Sequence, residues 1–335
     1  MDEVLVTLTR GGFDESVHRG HAVLWHAEAG LVASWGDADA VILPRSSCKM
    51  IQALPLVESG AADRAGIGPR HLALACASHN GAAIHTDLVT AWLADLGLRE
   101  ADLRCGPQTP TDRTARAALI CSGTSPDQRF NNCSGKHAGF LTLARDLGAG
   151  REYIDPSHPV QLAVRTAFEE LTELSSPGYG IDGCSAPNFA TTTSGLARSM
   201  AWFAAAASGA GSGVRDGAMA QLYAAMIAHP DLVAGEGRAC TRLMRALSGR
   251  GAVKTGAEGV FIAILPDLRM GLAVKCSDGA TRAAEAVTAE ILARLEVLPT
   301  DSDVYRDLAF GPIKSRRGLD AGAIRLSNAV QGWTP

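Results

Sequence analysis

The strand-forming stretches of this chain lie at its two ends, and residues 46–249 between them read as helix. Residues 4–9 alternate apolar and polar positions, 22–26 and 31–35 follow in the same style, and Gly-rich turns separate them, which predicts an antiparallel meander. From Ser46 the period becomes helical, with Ala- and Leu-rich runs at 160–174, 196–207 and 216–228. Within that block a short strand is expected at 72–77, and an exposed loop at 208–213, where only Ser, Gly and Ala occur. After Lys254 the strands return: 259–265 and 270–276 flank a turn at 266–269, and 281–295 is an amphipathic helix. Strands so far apart in sequence share one sheet when the helical block forms an inserted lobe. The expected fold class is therefore α+β, an antiparallel sheet flanked by helices. It is read as a single domain over 1–335, with an α/β lobe of 1–45 plus 250–335 and a mainly helical lobe of 46–249.

A chain of 335 residues buries a large core, and 47% hydrophobic with 20% charged residues is the balance of a globular protein. The formal net charge of -4 recommends neither nucleic acid nor an anionic membrane as a partner. No apolar run approaches the roughly 18 to 20 residues needed to span a bilayer. Residues 1–9 lack the basic and apolar regions of a secretory signal, so a cytoplasmic location is expected. The eight cysteines, Cys48, Cys76, Cys105, Cys121, Cys133, Cys184, Cys240 and Cys276, are scattered through the chain, which fits reduced thiols better than a disulfide framework.

Ser46-Ser47-Cys48-Lys49 opens the helical block and places a hydroxyl and an amine three residues apart, on one face of a helix. A serine hydroxyl is a poor nucleophile until a neighbouring base accepts its proton, and a desolvated lysine can be that base, so the pair points to acyl transfer. The bland reading of the same residues is a helix cap and a solvated lysine. Two more segments favour the chemical reading: Ser78-His79-Asn80, and Lys254-Thr255-Gly256 ahead of the C-terminal hairpin. Ser-x-x-Lys, Ser-x-Asn and Lys-Thr-Gly in this order resemble the motifs of serine β-lactamases and penicillin-binding proteins, and the split sheet around a helical lobe is the architecture that resemblance implies. The second motif follows the first more closely than is expected of a β-lactamase.

The segments 131–140, Asn-Asn-Cys-Ser-Gly-Lys-His-Ala-Gly-Phe, and 182–189, Asp-Gly-Cys-Ser-Ala-Pro-Asn-Phe, are also distinctive. With 44–49 and 52–56 they resemble the class 3 (rhizobial-type) L-asparaginases, in the L-asparaginase II family, a group similar to serine β-lactamases and glutaminases. The resemblance implies an L-asparagine amidohydrolase with two Ser-Lys pairs, Ser46 with Lys49 and Ser78 with Lys254. It also implies a zinc ion held by Cys133, Lys136 and Cys184 beside the pocket, and a homodimer. Arg45, Asn80, His137 and Asp182 would line the pocket.

From spacing alone, Cys133 and Cys184 read as buried structural cysteines ahead of a zinc site, because a Cys-x-x-Lys with one remote Cys supplies only three protein ligands; the resemblance reverses that order. Asp182 suits a substrate α-ammonium and Arg45 an α-carboxylate; a structural ion pair is the other reading of both. His137 is either an outer-shell donor to the metal ligands or a simple polar contact. Cys48 lies on a different helix face from Ser46 and Lys49 and reads as packing.

Overall fold

The computed structural model describes all 335 residues, Met1 to Pro335, in two compact units. One consists of Met1–Ser47, Thr191–Ser208 and Arg242–Pro335, the other of Cys48–Ala190 and Gly209–Thr241.

The first unit is built on an eight-stranded antiparallel sheet. The N-terminal segment supplies β1 (Glu3–Arg10), β2 (Phe13–His26) and β3 (Gly30–Trp35), and a two-residue β4 (Val41–Ile42) pairs with β7 (Thr191–Thr192) outside the sheet. The C-terminal segment supplies β8 (Ala252–Gly256), β9 (Val260–Leu265), β10 (Met270–Cys276), β11 (Pro312–Lys314) and β12 (Asp320–Leu326). The order is β11-β12-β1-β2-β10-β9-β8, with β3 paired to β2. Because β2 is 14 residues long, its first half pairs with β1, while its second half pairs with β10 on one side and β3 on the other. The two ends of the chain therefore meet inside one sheet, as the alternating patterns at both ends predict. β11 and β12 lie beyond that reading. The β12 sequence Asp-Ala-Gly-Ala-Ile-Arg-Leu holds a single β-branched residue, so its own propensity is weak and its pairing with β1 makes it a strand.

Every residue of β9 is buried, and the helices Thr193–Ala207 and Thr281–Arg294 both pack on it. The first of these also covers β2 and β10. It lies so close to β10 that a methyl group at Gly271 would meet the Ala197 carbonyl oxygen and the Ala201 nitrogen. This helix falls inside the expected helical lobe 46–249 but belongs to the sheet-bearing unit. The physical reason is its buried face of Leu196, Ala197, Met200, Ala201, Phe203 and Ala204, whose small members permit contact with a flat sheet.

The second unit surrounds the helix Lys49–Glu58, in which every residue from Lys49 to Leu56 is buried. The helices Ser134–Asp146, Pro159–Thr172 and Val214–Ala228 pack around it. The strand expected at 72–77 is instead the end of a helix, Pro69–Ala75. Leu72-Ala73-Leu74-Ala75 alternates large and small residues and so imitates a period of two. All four are buried, so no polar face reveals the helical period, and Pro69 at the first turn starts the helix. A short hairpin of β5 (Tyr179–Ile181) and β6 (Pro187–Phe189) holds residues 182–186 in its turn. The helix Arg113–Ser122, capped by the Asp112 side chain accepting from Ala115 N at 2.8 Å, has no buried residue.

Candidate active site

In the first unit Arg45–Cys48 forms a 3-10 turn that runs directly into the helix Lys49–Glu58. Ser47 is consumed by this turn: its backbone N–H and its hydroxyl both donate to Pro44 O, at 3.2 and 2.7 Å. Ser46, half-buried, takes no part in those bonds. Arg45 has a φ of 53°, in the left-handed region that a side-chain-bearing residue enters at a cost of about 1–2 kcal/mol. The turn lies against β8, the edge strand that carries Lys254-Thr255-Gly256, and a methyl at Gly256 would come within 2.7 Å of Pro44 O. Only glycine lets the two backbones approach this closely. Lys254 is fully buried and its amine donates to Thr255 O at 2.8 Å. The first unit thus gathers Arg45, Ser46 and Lys254 around one turn and one strand end.

In the second unit Lys49 is fully buried at the start of its helix. Its ammonium donates to Ala77 O and, at 3.4 Å, to Asn132 O. These carbonyls belong to the residues just before Ser78 and just before Cys133. Ser78, also buried, donates its backbone N–H to Val233 O at 2.9 Å. Asn80 organises the backbone around it: its side-chain oxygen accepts from Ala82 N at 3.2 Å, its backbone oxygen accepts from Thr111 N and Asp112 N, and its amide lies against Gly235. Cys48 is buried and lies 3.9 Å from the Asn188 amide nitrogen, consistent with packing.

Cys133, Lys136 and Cys184 come together, with Lys136 Nζ 3.2 Å from Cys184 Sγ. Cys133 and Lys136 sit at the start of the helix Ser134–Asp146, and Cys184 in the β5–β6 turn, where Ser185 takes a φ of 68°. Two acceptors compete for the single Cys133 S–H: the Cys184 sulfur and Asn132 Oδ1 at 2.9 Å. The bond from Cys133 holds the Cys184 thiol well below its ordinary pKa against the opposing effect of burial, and Lys136 adds to the fall. The same bond, with burial, pushes Cys133 up. Burial alone would lower the Lys136 amine, but the negative sulfurs of Cys184 and Cys133 and the Asp182 carboxylate raise it.

His137 is fully buried; Nδ1 lies 2.9 Å from Tyr153 Oη, while Nε2 has no hydrogen-bond partner. Burial, then the Lys136 charge, drives its pKa well below the ordinary value, so the ring is neutral. Asp182, half-buried, closes the β5–β6 turn by accepting from Ser185 N at 2.8 Å and donating its own N–H to Ala186 O at 3.0 Å. No group of three or more His, Cys, Asp or Glu side chains is placed to hold a metal ion. Two soft sulfurs, an amine and a buried, unpartnered ring nitrogen in the same field fit the donor chemistry of zinc. Sequence reading missed Asn132, Ser134 and Tyr153, which link these groups; their side chains carry no chemistry that marks them in isolation.

Compared with known proteins, the chain matches the family described as L-asparaginase II over residues 6–326. The chain belongs to the L-asparaginase II family. No curated protein matches the sequence. Among solved structures it is similar to a protein named Mglu in its native form, at 13% identity and a TM-score of 0.49, covering 84% of this chain and 65% of that chain. This chain therefore spans less than two thirds of Mglu. It is also similar to the Bacillus subtilis glutaminase YbgJ, solved as a covalent complex with 5-oxo-L-norleucine, at 13% identity and a TM-score of 0.36, covering 80% of this chain and 82% of that one. A class C beta lactamase from Rhodobacter sphaeroides is similar at 15% identity and a TM-score of 0.39, covering 79% and 90%. No helix is long and apolar enough to cross a membrane.

Proposed function

We propose that this member of the L-asparaginase II family converts L-asparagine and water to L-aspartate and ammonia through a covalent acyl-serine intermediate. The observation that carries this reading is Lys49, a fully buried lysine at the start of a helix buried from Lys49 to Leu56, three residues after Ser46, with backbone carbonyls as its hydrogen-bond partners. Burying a lysine amine is costly, so its presence there calls for a chemical role. Ser46 attacks the side-chain amide carbon while Lys49, acting as a neutral amine, accepts the hydroxyl proton; the tetrahedral intermediate collapses to a β-aspartyl ester as ammonia leaves with a proton. Ser78 and Lys254 form the second pair and relay that proton to the leaving nitrogen. Water then attacks the ester carbon, and the carbon–Ser46 oxygen bond breaks to regenerate the hydroxyl. Arg45 pairs with the substrate α-carboxylate and Asp182 with its α-ammonium, with His137 and Asn80 shaping the pocket.

Zinc held by Cys133, Lys136 and Cys184 belongs to the same proposal. When bound, the ion supplies a fixed positive charge that orients the substrate, and the Ser-Lys steps do not require it. Cytoplasmic location is supported by eight free cysteines, seven of them buried, which suit a reducing compartment. A homodimer is supported by the helix Arg113–Ser122, whose residues are exposed apart from half-buried Ala115 and Leu119 and leave Ile120 open to a covering partner.

The test is ammonia release from asparagine and glutamine, with hydrolysis of a chromogenic β-lactam alongside and zinc measured by elemental analysis. Ser46→Ala should abolish ammonia release and leave zinc in place, whereas Cys133→Ala with Cys184→Ala should lose the metal. Full activity in the serine variant would sink the Ser-Lys mechanism. Preference for the β-lactam would overturn the substrate, and unchanged zinc in the double variant would refute the ligand set.

A further inference from the structure

Between Ser78 and Asn80 the chain places a histidine that hydrolysis as proposed does not use. His79 is only 2% exposed, and burying an imidazole costs unless its nitrogens find partners. They do. Nδ1 accepts from Gly81 N at 3.2 Å, which fixes the ring hydrogen on Nε2. Nε2–H then donates to Ser134 Oγ at 3.0 Å, and that hydroxyl donates onward to Arg129 O at 2.9 Å. Ser134 is fully buried and stands between Cys133 and Lys136 at the start of their helix. The His79 backbone N–H donates to Asn132 O at 3.2 Å, the same oxygen that receives the Lys49 ammonium. The ring also stacks on His85, with centroids 4.6 Å apart and planes 8° from parallel, and His85 Nε2 is anchored on Asp231 O at 2.9 Å.

We propose that His79 is the positioning residue of Ser78, a neutral imidazole that clamps the Ser78 segment to the Asn132–Ser134 segment and so sets Ser78 against Lys49. The proposal rests on the amidohydrolase reading for what Ser78 does, but the clamp itself is a property of the two segments. A purely packing residue would not require this set of bonds. Two of them end on the residues that flank Cys133, Asn132 before it and Ser134 after it, and the third holds Gly81, three residues beyond Ser78. Protonation would remove the Nδ1 acceptor that Gly81 needs. Burial, with the charges of His85 and Lys49, keeps the ring pKa well below its ordinary value, so the clamp stays in one hydrogen-bonding state at neutral pH.

The test uses the full chain with His79→Ala, His79→Gln and Ser134→Ala. Misplacing a reacting group by about 1 Å costs on the order of 100-fold in rate, so His79→Ala should lower kcat by about 30- to 100-fold with KM nearly unchanged. His79→Gln, whose amide N–H reaches toward Ser134, should recover a large part of that loss, and Ser134→Ala should lower kcat about tenfold in a protein with native circular dichroism. Amide hydrogen exchange is read in parallel: in His79→Ala and Ser134→Ala, residues 78–82 and 131–136 should exchange faster together. Faster exchange confined to one segment, or wild-type kcat in folded Ser134→Ala or His79→Ala, would overturn the clamp. If wild-type protein releases no ammonia from asparagine, the function proposal fails while the exchange result still decides this one. Should His79→Ala not fold, the other two variants carry the decision.

Discussion

Arg45 holds a left-handed backbone immediately before the serine proposed to attack, a conformation kept only where the surroundings over-determine it. Arg45→Gly should therefore stabilise the fold by about 1 kcal/mol, a rise of about 2 °C in a chain of this size. The same change removes a charge-assisted bond to the substrate carboxylate, worth about 1.5–3 kcal/mol, and should lower kcat/KM roughly 10- to 100-fold. Calorimetry and ammonia release on one preparation check both; a lower Tm would show that φ at Arg45 is not strained, and unchanged kcat/KM would remove its substrate role. Ser46, Lys49, Ser78, Lys254, Cys133, Lys136 and Cys184 were all legible as residue types in a telling order. What was not legible is how their neighbours connect them. The His79–Ser134 bond joins residues 55 apart, and the Lys49–Asn132 bond residues 83 apart. No local pattern records such pairings, because a hydrogen bond between segments depends on where the backbone brings them.

The elements divide by whether their signal is local. The hairpin of β9 and β10 and the helix Thr281–Arg294 stand where their periodicity puts them. The helix Pro69–Ala75 was misread because complete burial erases periodicity, and the assignment of Thr193–Ala207 to the helical lobe failed because an amphipathic helix does not state which surface its apolar face meets. That surface is β10, and its fit depends on Gly271. Gly271→Ala should destabilise the protein by about 1–3 kcal/mol, read as a lower urea midpoint. Trimming Ala197 to glycine in the same chain should not rescue it, because the clash is with the Ala197 carbonyl and the Ala201 nitrogen. Rescue, or a neutral single variant, would show that the helix can shift on the sheet.

For the whole molecule, an isolated ten-residue helix is marginal in water, yet Arg113–Ser122 is formed with no residue buried and with Ile120 71% exposed. A second copy of this chain is a suitable cover. The helix carries Arg113 and Arg116 in its first half and no charge from Ala117 to Ser122, so in the proposed homodimer antiparallel self-pairing would set each guanidinium near the partner helix's C-terminal carbonyls. Ile120→Asp should convert a dimer to a monomer in sedimentation analysis; a dimer that survives it would place the interface elsewhere. The sequence by itself determined that the two ends of this chain share an antiparallel sheet and that Ser-Lys and Cys-Lys-Cys groups lie in a family-like order, because side-chain periodicity and reactive residue types are local properties. Only the tertiary structure decided which helix covers the sheet, that Lys49 is held by carbonyls, that Lys136 meets Cys184, and that His79 ties Ser78 to the start of the helix behind Cys133. Those depend on burial and on contacts between distant segments, which exist only once the chain has folded.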